Sequence, residues 1–215
     1  VTIELQHHQH WGYTILYKEK KLQVLVKRQP AVPDLKNMVV GIDAGHGGSN
    51  PGAEGITSRI AEKKYTLIFA KALEKLLNAN GVNTIMTRDI DTTIGNTDRM
   101  LALQLQQPDI IISMHLNSSA DTSIKGTATF YKYIGFRPLS IALLERMKSA
   151  GMTEFGNVGN FNFLLNTPTD FPNALLEIAF LSNKQDEQKI LDPSFPELVA
   201  QQVLLALQDF VKQAD

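Results

Sequence analysis

The chain has 215 residues, 43% apolar and 20% charged, with a formal net charge of −1 and no cysteine. This supports a sizeable core in one domain with a small appendage, and it supplies no overall basic field for nucleic acid or an anionic membrane. The missing cysteines exclude disulfides, thiolate metal ligands and a cysteine nucleophile, and no apolar run reaches the roughly 18 residues that a bilayer span needs.

The chain opens at Val1 without a methionine or a basic-then-apolar leader, which reads as a processed or truncated product. His7, His8 and His10, in HHQH, have no acid nearby in sequence and read as a solvated strand rather than a second metal site. Residues 13 to 27, YTILYKEKKLQVLVK, carry two short apolar runs around a charged turn and predict a β-hairpin. RQPAVPDLKN follows as a proline-bearing connector. Residues 1–37 therefore read as an N-terminal β segment with linker, the remnant of an upstream module, and residues 38–215 as the main domain.

From Met38 onward, apolar strands alternate with helical periods. MVVGI predicts a strand, EKKYTLIFAKALEKLLNANG a helix ending on NANG, VNTIMTR a strand, and NTDRMLALQLQQ a helix capped by Asn or Thr. DIIISMH reads as a buried central strand. GTATFYKY is a further strand, RPLSIALLERMKSAG a helix, NALLEIAFLS a strand, and PELVAQQVLLALQDFVKQ a closing amphipathic helix. The expected fold class is α/β, with a mainly parallel twisted sheet, helices on both faces, and the short N-terminal β segment.

In such sheets ligands bind beyond the carboxyl ends of the strands. His46 follows VVGIDAG and His115 follows DIIISM, so both would project at that rim. Glu62 lies at the start of the first long helix, where an acid also complements the helix dipole. Glu177 lies inside ALLEIAF, where a buried carboxylate is costly unless a cation or a working proton offsets it; an outward-facing edge position is the alternative. Imidazole and carboxylate suit zinc, which in catalytic sites takes three protein ligands and leaves one position open. His46, Glu62 and His115 would supply them, with Glu177 free to move a proton. The glycines around His46, including Gly47 and Gly48, would let the backbone turn and leave room for substrate. Neither G-x-G-x-x-G nor a Gly-Lys-Ser/Thr ending is present, so a phosphate cradle fits poorly.

IDAGHGGSNPGAEG, EKKYTL, TRDIDTTI, ISMHLNSS and NALLEIAFLSN follow one another in the order and approximate spacing of the zinc-dependent N-acetylmuramoyl-L-alanine amidases of the amidase-3 type. The chain resembles that family over about residues 38 to 213. Carried over by motif, the resemblance implies one Zn2+ ion bound by His46, Glu62 and His115, with Glu177 as the catalytic acid/base. It implies hydrolysis of the amide between N-acetylmuramic acid and L-alanine in peptidoglycan, by a bacterial or phage protein working outside the cytoplasmic membrane. Peptidoglycan is then the partner, and an activator protein is a further partner to consider. Ala44 stands where many members carry proline. Some members have a long insertion that folds as a helix over the site; here His115 and Glu177 are 62 positions apart, so an open groove is expected. Within this reading Asp43 would orient His46 through a hydrogen bond, or serve as a turn acid. Asn117 would contact substrate, or organise its own turn. A non-catalytic wall-binding module of the same fold, or a hydrolase of another amide, are the rival readings.

Overall fold

The apolar runs resolve into two sheets in the computed structural model, which describes residues 2–6 and 8–213. His7 of the histidine cluster lies outside the described residues. The expected hairpin forms from β1 (Tyr13–Lys18) and β2 (Lys21–Val26), paired antiparallel across Glu19 and Lys20. Both turn residues are left-handed, with φ of 51° and 62°, the backbone that matches the twist of a two-residue hairpin.

The main sheet contains β3 (Val39–Ala44), β4 (Asn83–Met86), β5 (Ile110–Asn117), β6 (Thr127–Phe130), β7 (Glu154–Val158) and β8 (Asn173–Phe180). Their order is β4-β3-β5-β8-β6-β7. The first four in that order are parallel, β6 runs antiparallel to β8, and β7 is parallel to β6. Five α-helices accompany them: α1 (Glu62–Ala79), α2 (Asn96–Gln106), α3 (Arg137–Ser149), α4 (Lys184–Leu191) and α5 (Phe195–Gln213). The α/β class holds, with a mixed sheet. Sequence periodicity misses β7 and α4. EFGNV is short and interrupted by glycine, and KQDEQKIL is a polar eight-residue helix whose start is set by Asn183 accepting from the amides of Gln185 and Asp186.

Side chains alternate across a strand, and here the two faces of the sheet are covered unequally. Val40, Ile42 and Ala44 of β3, Ile112, Met114 and Leu116 of β5, and Leu176 and Ile178 of β8 share one large core with residues of α1, α3 and α5. The other parity places Asp43, Ser113, His115 and Glu177 on the opposite face. There α2 contributes Leu103, which packs in a small cluster with Ile111, Leu165 and Phe171. The polar residues of the strands thus lie on the thin side of the sheet.

The N-terminal segment is bolted to the main domain at its base. Trp11 is fully buried, stacked on Phe210 of α5 with ring centroids 5.2 Å apart, and the Tyr13 amide donates to Thr169 O at 2.7 Å. Gly12 sits at φ 134°, where a Cβ would lie 2.3 Å from the Asp170 carbonyl oxygen. Gly12→Ala is accordingly expected to destabilise the whole protein by roughly 1–3 kcal/mol. Denaturant unfolding followed by far-UV circular dichroism would show this as a lower midpoint, whereas a loosely tethered appendage would leave the midpoint unchanged.

Candidate metal centre and groove

The chain leaves β3 through Gly45 and enters a left-handed turn at His46, with φ of 61°. A non-glycine residue held there is strained unless its surroundings fix it. Two arginines do so. Arg99, fully buried on the Leu103 side of α2, donates from Nη1 to Asp43 Oδ1 at 2.9 Å and to the Ala44 carbonyl, and from Nη2 to the His46 carbonyl. Arg88, just past β4, donates to the carbonyls of Ala44 at 2.9 Å, Gly45 at 3.0 Å and Lys63 at 2.7 Å. The pair ties the end of β3 to the first turn of α1. Sequence periodicity points to neither arginine. The available signal was a charge at position 99, one helical turn before Leu103 on the buried face of a short helix.

Glu62 opens α1 and is 3% exposed. Its carboxylate does more than complement a dipole: Oε2 accepts from the Ala53 amide at 2.8 Å, and Oε1 accepts from the Leu116 amide at 3.0 Å. Oε1 also lies 3.1 Å from His46 Nε2 and 3.0 Å from His115 Nδ1. One donor atom from each of His46, Glu62 and His115 falls within 4.8 Å of the others. Two imidazole nitrogens and a carboxylate oxygen converging at this distance fit a borderline cation such as zinc. Burial pushes Glu62 up, but its hydrogen bonds to His115 and His46 and their charges hold it well below the usual carboxylate range. Burial pulls His115 down, yet the Glu62 hydrogen bond and the charges of Glu177, Glu62 and Asp43 push it up to about 9.

Glu177 is in the central strand β8, so the edge-strand alternative does not apply; its register partners are His115 on β5 and Ala128 on β6. It is 8% exposed, and its Oε2 has no hydrogen-bond partner. Burial, opposed by His115, reinforced by Glu62 and opposed again by His46, leaves it pushed up to about 7. A carboxyl poised there can both take and give a proton near neutrality. The groove above these groups has a volume of about 280 Å³, and Asn96 and Phe163 contribute to its walls. The helix between His115 and Glu177, α3, packs on the opposite face against α5, so it does not cover the groove.

Two expectations change. Asp43 does not bond to the His46 ring: it accepts from Thr87 Oγ1 at 2.7 Å, Ser113 Oγ at 2.6 Å and Arg99, because its strand parity aims it at α2. Gly47 and Gly48 do not open space for substrate. A Cβ at either would meet the Thr92–Thr93 backbone or the Thr93 hydroxyl within 2.4 Å, so protein already occupies that space. The glycines that matter at the centre are Gly45 and Gly52, where a Cβ would strike the His115 ring or Glu62 Oε2. Asn117 lines the groove, and its Oδ1 accepts from the Ser118 amide at 2.8 Å, organising its own turn.

A family model described as N-acetylmuramoyl-L-alanine amidase matches residues 40–209. The probable cell wall amidase LytH of Staphylococcus epidermidis (strain ATCC 35984) is 34% identical over 179 residues, covering 82% of this chain and 59% of its own length. The N-acetylmuramoyl-L-alanine amidase LytC of Bacillus subtilis is 28% identical over 193 residues, covering 84% of this chain and 38% of its own. The chain spans 57–65% of the length of the LytH relatives that it matches. Among solved structures, the catalytic domain of CwlV from Bacillus (Paenibacillus) polymyxa var. colistinus superposes with a TM-score of 0.77. It is 29% identical, covering 81% of this chain and 98% of its own. An amidase from Clostridium difficile 630 gives the same TM-score at 26% identity, covering 81% of this chain and 97% of its own.

Proposed function

Because the chain belongs to the N-acetylmuramoyl-L-alanine amidase family, matched over residues 40–209, we propose that it hydrolyses the amide joining N-acetylmuramic acid to L-alanine in peptidoglycan. In this reading His46, Glu62 and His115 hold one zinc ion and Glu177 is the general base and acid. A zinc ion bound there would polarise the scissile carbonyl and make water a better nucleophile near pH 7. Glu177 takes a proton from the attacking water as its oxygen bonds to the carbonyl carbon. It then gives that proton to the nitrogen as the C–N bond breaks, leaving a carboxylic acid on the lactyl group and an amine on L-alanine, which become carboxylate and ammonium as the acid's proton passes to the amine. A carboxyl held near neutrality suits both transfers. The thin, open face of the sheet gives a glycan strand access, and Phe163, stacked on Phe161 with centroids 4.6 Å apart, offers an apolar wall beside the groups that react. Work outside the cytoplasmic membrane, in the cell wall, follows from the substrate.

The observation that carries this reading is the convergence of three metal-type donors beside a buried carboxylate oxygen with no partner. Digestion of purified sacculi tests it. Released peptides are expected to begin at free L-alanine, to disappear with chelator and to return with zinc. Peptides with other N-termini would point to a different amide. Binding to sacculi without soluble products, with or without chelator, would instead indicate a wall-binding module.

A further inference from the structure

We infer, on the amidase reading above, that Phe161 and Phe163 form the glycan side of the groove: their rings take the apolar face of the N-acetylmuramic acid pyranose, and the stem peptide lies away from them.

The wall is built on the strands that carry the reacting carboxyl. Glu177 of β8 is opposite Ala128 of β6, and Leu175 is opposite Phe130. Two residues along a strand return to the same face roughly 7 Å away, so Phe130 and Leu175 stand on the groove side of the sheet, one row from Glu177. Both are buried, in a cluster with Ala128 against which Phe163 packs. The Phe163 ring meets Phe130 edge-on with centroids 5.4 Å apart, Phe161 meets Phe130 at 5.1 Å, and the Phe161 and Phe163 rings lie 4.6 Å apart with 37° between their planes. Phe161 is nonetheless 43% exposed. Its ring is held at the surface by the cluster beneath it.

The segment that bears the rings is tied down. The Phe161 amide donates to Tyr131 O at 3.4 Å, and Lys132 Nζ donates to Asn162 Oδ1 at 2.9 Å. Asn160 turns left-handed at φ 55°, and a Cβ at Gly159 would lie 2.4 Å from Tyr131 Oη. The rings are thus presented before a ligand arrives, which lowers the ordering cost of binding.

Charge decides which half of the substrate suits this wall. Here the groove is lined by Phe163, Leu164, Leu165 and Leu175, none of them ionisable. The stem peptide carries carboxylates, and setting one against such a surface costs solvation that nothing there returns. The sugar beside the scissile amide carries no ionised group while that amide is intact. Its pyranose ring offers a face of C–H bonds, whose positive ends suit the negative face of an aromatic ring. The wall therefore selects stem peptides that are still attached to sugar.

Each reaction product keeps one half of the substrate, so product binding locates the halves. The probes are a peptide-free tetrasaccharide of alternating N-acetylglucosamine and N-acetylmuramic acid, and the free stem tetrapeptide beginning at L-alanine. Titration of the zinc-loaded protein, followed by aromatic side-chain NMR, should move the Phe161 and Phe163 ring signals with the tetrasaccharide and not with the tetrapeptide. Phe161→Ala should bind the tetrasaccharide roughly tenfold more weakly, about the worth of burying one half-exposed apolar side chain, with tetrapeptide affinity unchanged. Phe161→Trp should restore tetrasaccharide affinity. Ring signals that stay still with the tetrasaccharide would overturn the inference, as would equal tetrasaccharide affinity in wild type and Phe161→Ala, or a loss confined to the tetrapeptide. Digestion of sacculi judges the amidase reading separately. Ring signals that respond to the tetrasaccharide in a protein releasing no L-alanine-terminated peptide would leave the glycan wall standing and remove the amidase.

Discussion

Glu177→Gln is expected to lower release of L-alanine-terminated peptides from sacculi by about 10²–10⁴-fold, the range that a positioned proton-transfer group contributes, while zinc content stays at the wild-type level. Glutamine keeps the shape and cannot take a proton, so the loss separates proton transfer from metal binding. The stability change has the opposite sign. In the metal-free protein Glu177 is pushed up to about 7, above an unfolded carboxyl near 4.3, so its ionised form is penalised by folding. That penalty is absent below the unfolded value, grows as pH rises toward 7 and is constant beyond. Glu177→Gln without metal should therefore gain stability over the wild type from about pH 4.3 to 7, then keep the gain. Wild-type turnover with zinc retained would remove Glu177 from the mechanism.

Arg99→Met should be among the most damaging changes on the thin face, costing about 3–5 kcal/mol, because it strands a fully buried Asp43 carboxylate. It also releases the His46 carbonyl, so the left-handed turn is no longer held, and zinc affinity should fall with stability. Burial acts to raise Asp43, but Arg99, His115 and the Ser113 and Thr87 hydroxyls hold it below its ordinary value. Its contribution in the wild type is thus present above about pH 3.9 and is lost as pH falls through the lower folded value. Without Arg99 the burial effect dominates, Asp43 rises above its unfolded value, and the variant's deficit should narrow as pH is lowered from 7 toward 4. Urea unfolding of Arg99→Met and of Arg99→Met with Asp43→Asn separates the effects. The double variant should recover part of the stability but not the zinc affinity. Equal stability of the two would mean that the Asp43 charge does not matter.

The parts of this molecule that are legible in sequence are those encoded by local period or by chemistry out of place. The runs around Val40, Ile112 and Leu176 are apolar enough to announce buried strands, and His46, His115 and Glu177 stand out because polar groups interrupt those runs. The structure brings these three together with Glu62. The groups that hold them there are not legible. Arg88 and Arg99 act on carbonyl oxygens more than 40 positions away along the chain, and every residue offers a carbonyl, so no side-chain pattern marks the target. Gly47 and Gly48 look like room for a ligand because sequence cannot show that Thr92 and Thr93 fill it.

The unequal cover on the two faces of the sheet divides the chain's tolerance to change. Nearly all the large apolar side chains that keep the fold together lie with α1, α3 and α5, whereas the groove is bounded by a short helix and the segment around Phe161 and Phe163. Loops on the thin side can lengthen, shorten or change composition without opening the main core. A scaffold of this kind can therefore exchange its rim while the donors beneath stay where they are.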